Sequence, residues 1–245
     1  MDKKAFKKHI EEEHREHAIA QHLKEFIYGG SDGIVTTFAV VAGFSGANLG
    51  QNTLNLSVVS VLLFGLANLF ADGAAMGLGS LLSIRSHKKL YDNAYKKELK
   101  EIKQSNEFEI LETEHIFEEN GYSKTDSSSL TKLIAKNPSF WAKFMVQHEL
   151  ELSNPEHENE YLNGLATFMS FLIFGFIPLV PYFFNFPQEN LFFYSSVATL
   201  LSLCLLGTLR SYLAKENIVT AVLEVLFVGI ISSSLAYFVG FLFKV

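Results

Sequence analysis

The chain has 245 residues, 49% of them hydrophobic and 19% charged, with a formal net charge of −6. That modest negative balance excludes the basic footprint of a nucleic-acid binder, and one cysteine, Cys204, excludes a disulfide framework. Charge is concentrated in residues 1–25 and 85–160, while residues 162–243 hold only Glu189, Arg210, Lys215, Glu216 and Glu224 as charged groups. A stretch so depleted of charge cannot form a soluble surface and reads as bilayer-embedded.

Residues 1–25 have no apolar core of the signal-peptide type. They are expected to form a cytosolic amphipathic helix with Phe6, Ile10, Ile19 and Leu23 as its sparse apolar positions. His9, His14, His17 and His22, with the spacings Glu11–His14 and Glu13–His17, allow a metal site on one face. A solvated or membrane-surface helix accounts for the same pattern. The first span is expected over 26–47, with Asp32 about 9 Å along its axis. A carboxylate at that depth should face a partner, a cavity or an ion path; the competing reading is an interfacial Asp32 that caps a helix after Gly29-Gly30.

A short uncharged loop leads to the second span, 56–84, which carries Asn68, Asp72 and Met76. Asp72 and Met76 are spaced i,i+4 and share a face. A hard carboxylate beside a soft thioether suits a borderline divalent transition metal better than calcium or magnesium, although a methionine there is also ordinary packing. No proline or strong breaker follows before Lys103, so this span is expected to run on into the cytosol as one long helix. Ser105-Asn106 is the first stop, and Asn106 with Glu109 has the form of a capping box for a new helix. Asn120-Gly121 ends that helix. Ser127, Ser128 and Ser129 then fall in a polar linker, 130–136 is a short helical piece, and Asn137-Pro138 opens a last helix to about Leu152.

Spans three to five are expected at 162–184, 191–209 and 218–243. Pro178 and Pro181 should kink or end the third, and Glu224 is a further buried-acid candidate in the fifth. Lysine and arginine are missing from the loops after spans one and three, so the positive-inside rule puts the N-terminus and the insert in the cytosol. The expected fold is all-α: a polytopic membrane protein with five transmembrane helices and a three-helix cytosolic metal-binding insert between helices 2 and 3. Its expected divisions are 1–25, 26–84, 85–160 and 161–245.

Within the insert, Glu98 and Glu101 are i,i+3, as are Glu109 and Glu112. On one unbroken helix the four would share a face but spread over roughly 16 Å, too far for one ion. A fold-back at Ser105-Asn106 lets the pairs converge, and Met145 with Glu149 adds an i,i+4 pair from the last helix. An oxygen-rich set with one sulfur suits Fe(II), Mn(II), Co(II) or Zn(II). The insert also holds nearly as many basic as acidic residues, so a plain solvated face accounts for the spacing equally well.

The segments YGGSDGIVTTFAVVAGFSGAN, ADGAAMGLGSLLS, KKELKEI, FMVQHELEL and GFIPLVPY occur in this order. Together they resemble the vacuolar iron transporter family, from about Glu25 to the C-terminus. The resemblance implies a homodimer of five-span subunits that moves ferrous iron, and often manganese, out of the cytosol in exchange for protons. It assigns metal capture to Glu98, Glu101, Glu109, Glu112, Met145 and Glu149, and the translocation path to Asp32 and Met76. Asn68 stands where plant members often carry a glutamate, which makes Asp72, one turn on, the candidate substitute. Thr36-Thr37 replaces a Val-Pro pair of the family, and the loop between spans one and two is several residues longer.

The functional expectation is a multi-pass metal/proton antiporter, not an enzyme, with Asp32, Asp72 and Glu224 as candidate proton carriers. It has no permanent cofactor; its partners are Fe(II) and related divalent metals, protons, the lipid bilayer and a second copy of the chain, with no nucleic acid. The expected location is the plasma membrane in a prokaryote or the vacuolar membrane in a eukaryote. A membrane-anchored di-iron ferroxidase of ferritin-like type is the alternative, resting on the E-x-x-H at Glu112–His115 and on Glu11–His14. Such sites need two E-x-x-H motifs and a glutamate from each of two further helices. A metal sensor with a passive anchor is a third reading, against which the intramembrane acids argue.

Overall fold

The computed structural model describes residues 3–47, 54–156, 158–184 and 186–243, with side-chain surroundings from residue 24 in the first stretch and from residue 58 in the second. Regular structure among the described residues is helical: α1 (Lys3–Gly46), α2 (Leu54–Gln104), α3 (Asn106–Glu119), α4 (Lys124–Ile134), α5 (Pro138–His148), α6 (Glu160–Phe176), α7 (Leu191–Ala214) and α8 (Ile218–Leu242). A 3-10 segment (Ile177–Phe183) follows α6, and a single 3-10 turn (Gln188–Asn190) precedes α7. By length and composition, five helices suit a membrane crossing: α1 from Lys24, α2 from Val58, α6 with its 3-10 extension, α7 and α8. The chain is an integral membrane protein. It divides into two compact units, residues 1–81 with 160–245, and residues 82–159.

In the first unit, α1 passes through residue 25 and through Gly29-Gly30 without a break, so Asp32 sits in mid-helix and caps nothing. The glycines serve close approach instead. A Cβ on Gly29 would lie 2.7 Å from the carbonyl oxygen of Thr167, and one on Gly33 would strike that of Phe171. Glycines four apart thus let α6 lie against the α1 backbone, and Ser170 Oγ–H donates to the Phe26 carbonyl (2.5 Å) across the same seam. Gly77 of α2 and Gly164 of α6 cross in the same way, each Cβ position within 2.8 Å of the other's carbonyl. Ile34, Val35, Phe174, Leu203, Leu206 and Val225 fill the space among α1, α6, α7 and α8.

Pro178 and Pro181 convert the end of the third span to 3-10 geometry. The 3-10 partner of the Pro178 carbonyl would be the N–H of residue 181, which proline lacks. Ser195 Oγ–H of α7 donates to that carbonyl instead (2.7 Å). Outward positions such as Leu63, Phe70, Phe227, Phe238 and Leu242 are more than half exposed, as lipid-facing surfaces require.

The second unit holds the end of α2 with α3, α4 and α5. The chain breaks after Gln104, and Ser105 takes the N-cap position of α3 without a side-chain bond. The capping box expected at Asn106–Glu109 does not form, because Glu109 is turned inward and buried. α3 ends in a Schellman turn: Tyr122 N–H reaches Phe117 O (3.1 Å), Gly121 N–H reaches Glu118 O (3.0 Å), and Gly121 adopts φ 92°. The rings of Phe117 and Tyr122 pack edge to face over it.

The serines expected in a linker lie inside α4, because Ser123 accepts from Asp126 N–H (3.2 Å) and starts the helix early. The insert therefore has three separate helices, α3, α4 and α5, besides the α2 extension, with α4 starting at Lys124 where the short helical piece was expected at 130–136. Asn137 caps α5 by accepting from Phe140 N–H (3.2 Å), with Pro138 in its first turn. Ile102, Trp141, Ala142 and Met145 form the core, flanked by Tyr95, Leu99 and Ile110.

The glycine crossings yield an expected outcome. Gly164→Leu should destabilise the protein by about 3 kcal/mol, the upper end of overpacking, seen as a lower melting temperature in detergent. Gly79→Ala, whose Cβ meets nothing within 4 Å, should leave the melting temperature unchanged or slightly raised.

Candidate metal centre

Glu98 and Glu101 lie on the charged end of α2, well past the apolar stretch that ends near Ile84, and Glu109 lies in the first turn of α3. The break at Ser105 folds α3 back, so that one carboxylate oxygen from each of Glu98, Glu101 and Glu109 falls within 4.8 Å of the other two. Glu98 and Glu109 are only 1% and 5% exposed. Glu98 Oε1 and Glu109 Oε2 have no hydrogen-bond partner among the described residues. Buried acceptors without donors are costly, and a cation is the species that would satisfy several at once.

The electrostatics point the same way. Burial, then the charges of Glu149 and Glu101, pushes the Glu98 carboxyl up to about 7. Burial, then Glu98, Glu112 and Glu149, pushes Glu109 up to about 7 as well. Glu149, at the C-cap of α5, is raised by burial and then by Glu112. The two glutamate pairs and Glu149 therefore share one negative field. Lys97 opposes it, with Nζ 3.2 Å from Glu101 Oε2 on the exposed side.

Met145 is the soft ligand expected from the sequence. It is fully buried, and its Sδ accepts from Thr113 Oγ1–H at 3.2 Å. Trp141 Nε1–H in turn donates to Thr113 Oγ1 at 2.7 Å. Sequence reasoning did not single out Thr113 or Trp141. The available signal was their spacing, Thr113 one turn after Glu109 and Trp141 one turn before Met145. The structure brings together Glu98, Glu101 and Glu109, with Glu112 and Glu149 within electrostatic reach of them; carboxylate oxygens of this kind suit a borderline divalent ion.

The arrangement does not assemble a ferritin-like site among the described residues. Glu112 joins the carboxylate field, but His115 pairs outward with Glu119 (Nε2–Oε1 3.4 Å), both being well exposed. The side chains of Glu11, Glu13 and the four N-terminal histidines lie outside the described residues.

In the first unit, Asp32 on α1 and Asp72 on α2 are half-buried electrostatic neighbours. Met76 is half-buried one turn beyond Asp72. Thr36 Oγ1–H back-bonds to the Asp32 carbonyl (2.8 Å), a contact that a valine could not make. Asn68 lines a cleft with Ala39, Gly43 and Phe44. Glu224 departs from expectation: it is more than half exposed, and Arg210 holds it at 2.8 Å while also gripping Glu216 at 2.7 Å. Its charge is answered by Arg210, so it is not a lone buried acid.

The sequence profile of the VIT family matches residues 23–241. The vacuolar iron transporter of Centaurea cyanus is 28% identical over 94% of this chain and 92% of its own length. Vacuolar iron transporter 1 of Arabidopsis thaliana is 30% identical over 88% of this chain and 83% of its own. The vacuolar iron transporter of Plasmodium falciparum is 29% identical over 91% and 82%.

The raised carboxylates fix the sign of two pH dependences. Between the ordinary value of 4.5 and about 7, folded Glu98 and Glu109 keep protons that the unfolded chain has released. The metal-free protein should therefore lose stability as pH rises through that window. Metal binding must displace those protons, so Mn(II) affinity should rise roughly tenfold or more per pH unit over the same range and level off above it. Thermal melts and metal titrations across about pH 5–8 check both trends, and flat profiles would contradict the assignment.

Proposed function

This chain belongs to the VIT family, and from that premise we propose that it is a membrane transporter exporting Fe(II), and Mn(II) with it, from the cytosol in exchange for protons. The observation that carries the reading is the cluster of Glu98, Glu101 and Glu109 within 4.8 Å, with two buried oxygens that lack a hydrogen-bond partner among the described residues. Relatives spanning most of this chain are named vacuolar iron transporters, which supports iron as cargo and a transporter over an enzyme. The charge asymmetry of the loops supports a cytosolic insert and N-terminus. The membrane is that of a vacuole, or the plasma membrane in a prokaryotic host, and the working unit is a homodimer.

In this mechanism the insert loads first. A hydrated divalent ion displaces protons from Glu98 and Glu109, exchanges water for carboxylate oxygens, and takes Met145 as its soft ligand, with Glu101, Glu112 and Glu149 completing the charge balance. Divalent selectivity over alkali ions follows from the number of carboxylates. The ion then enters a path through the spans that includes Asp32, Asp72 and Met76. An ion leaving Asp32 and Asp72 leaves two like charges side by side, and a proton taken up in its place restores the balance. That exchange couples the two fluxes. Glu224, matched by Arg210, is no longer a proton-carrying candidate.

In reconstituted vesicles, Fe(II) uptake should accelerate when the receiving compartment is acidic. Asp32→Ala should lower the rate at least about tenfold, as expected for loss of an intramembrane acid on the path. Glu98→Gln with Glu109→Gln should raise the concentration of Fe(II) needed for half-maximal rate. Uptake indifferent to the pH gradient and to Asp32→Ala would contradict the mechanism.

A further inference from the structure

A hydrogen-bond chain lies beside the carboxylates. Trp141 Nε1–H donates to Thr113 Oγ1 (2.7 Å), and the Thr113 hydroxyl has two acceptors in reach, the Glu109 carbonyl (2.7 Å) and the Met145 sulfur (3.2 Å). Trp141, Thr113 and Met145 are all sealed from solvent, each at 0% exposure. A hydroxyl has one proton and two lone pairs. Trp141 occupies one lone pair, so the single proton is divided between a backbone carbonyl and a thioether. Glu109 is a member of the three-carboxylate cluster. One hydroxyl thus links the backbone of a cluster carboxylate to the nearby sulfur.

We propose that Thr113 is a positioning residue that sets metal specificity, by aiming the Met145 sulfur at the carboxylate cluster and releasing it when an ion arrives. The inference rests on the metal-centre reading above and deepens it. In the metal-free state the hydroxyl holds the thioether in one orientation. When an ion takes the sulfur lone pair, the hydroxyl turns to the Glu109 carbonyl and is not orphaned, so the switch leaves no buried donor unpaired. Trp141 keeps the hydroxyl in this two-position track. An ion with affinity for sulfur, such as Co(II), gains a pre-oriented soft ligand, whereas Mn(II), satisfied by oxygens, gains little.

The test uses the full-length protein in detergent, titrated separately with Co(II) and Mn(II) against a competing chelator. Thr113→Val should weaken Co(II) binding roughly tenfold, the scale of an outer-sphere ligand partner. Mn(II) binding should change less than about twofold, because oxygen ligands are untouched. The visible bands of the Co(II) complex should shift in Thr113→Val, and Thr113→Ser should restore both spectrum and selectivity. Thr113→Val leaves the Trp141 N–H unpaired, so Thr113→Val with Trp141→Phe, which removes both polar groups, gives the same comparison if the single variant does not fold. Equal losses for both metals, or no loss, with Thr113→Ser matching Thr113→Val, would overturn the role of Thr113 and leave the carboxylate centre standing. A wild-type protein that binds neither ion would overturn the centre and this inference with it.

Discussion

The insert is governed by the mutual repulsion of carboxylates, two of which, Glu98 and Glu109, are buried away from water. Glu98 and Glu109 are buried among Glu101, Glu112 and Glu149. The lysine that answers them, Lys97, reaches only the outer oxygen of Glu101. A protein selected for stability alone would replace such groups with apolar ones of similar size. In the proposed function their presence is accounted for by a ligand of opposite charge that comes and goes. On that proposal, the cost of burying Glu98 and Glu109 is offset when a cation binds.

The scaffold around those acids is closed by caps and core packing. The α3 helix is closed by a Schellman turn, α4 and α5 are capped by Ser123 and Asn137, and Trp141, Ala142 and Met145 lock α5 into the core. In the membrane unit the two kinds of acid are treated differently. Glu224 and Glu216 share Arg210 as a common counter-ion. Asp32 and Asp72 are half-buried electrostatic neighbours on α1 and α2.

The five spans were legible because a helix needs about 20 apolar residues to cross a bilayer, and few other constraints produce such runs. The turn at Ser105 was legible from a polar pair after a long uninterrupted helix, and so was the possibility that it gathers the glutamates. Other features depended on partners that no local pattern names. Gly29-Gly30 reads as a helix break in isolation, yet the close passage of α6 makes glycine the residue that fits an unbroken helix. The cap of α4 was hidden because Ser123 competes with three later serines for the same role. The pairing of Arg210 with Glu224 crosses a turn between two helices, beyond the reach of i,i+4 rules. Thr113 and Trp141 look like ordinary core residues until the fold puts them against Met145.

The central claim is that Glu98 is kept for metal at a cost to the metal-free fold. Melting temperatures of wild type and Glu98→Gln near pH 8, with and without anaerobic Fe(II), test it most directly. The metal-free variant should melt above the metal-free wild type, because a buried unpaired charge has been removed. Fe(II) should raise the melting temperature of the wild type and leave the variant nearly unchanged. A variant that melts lower than wild type without metal, or a wild type that Fe(II) does not stabilise, would contradict the account.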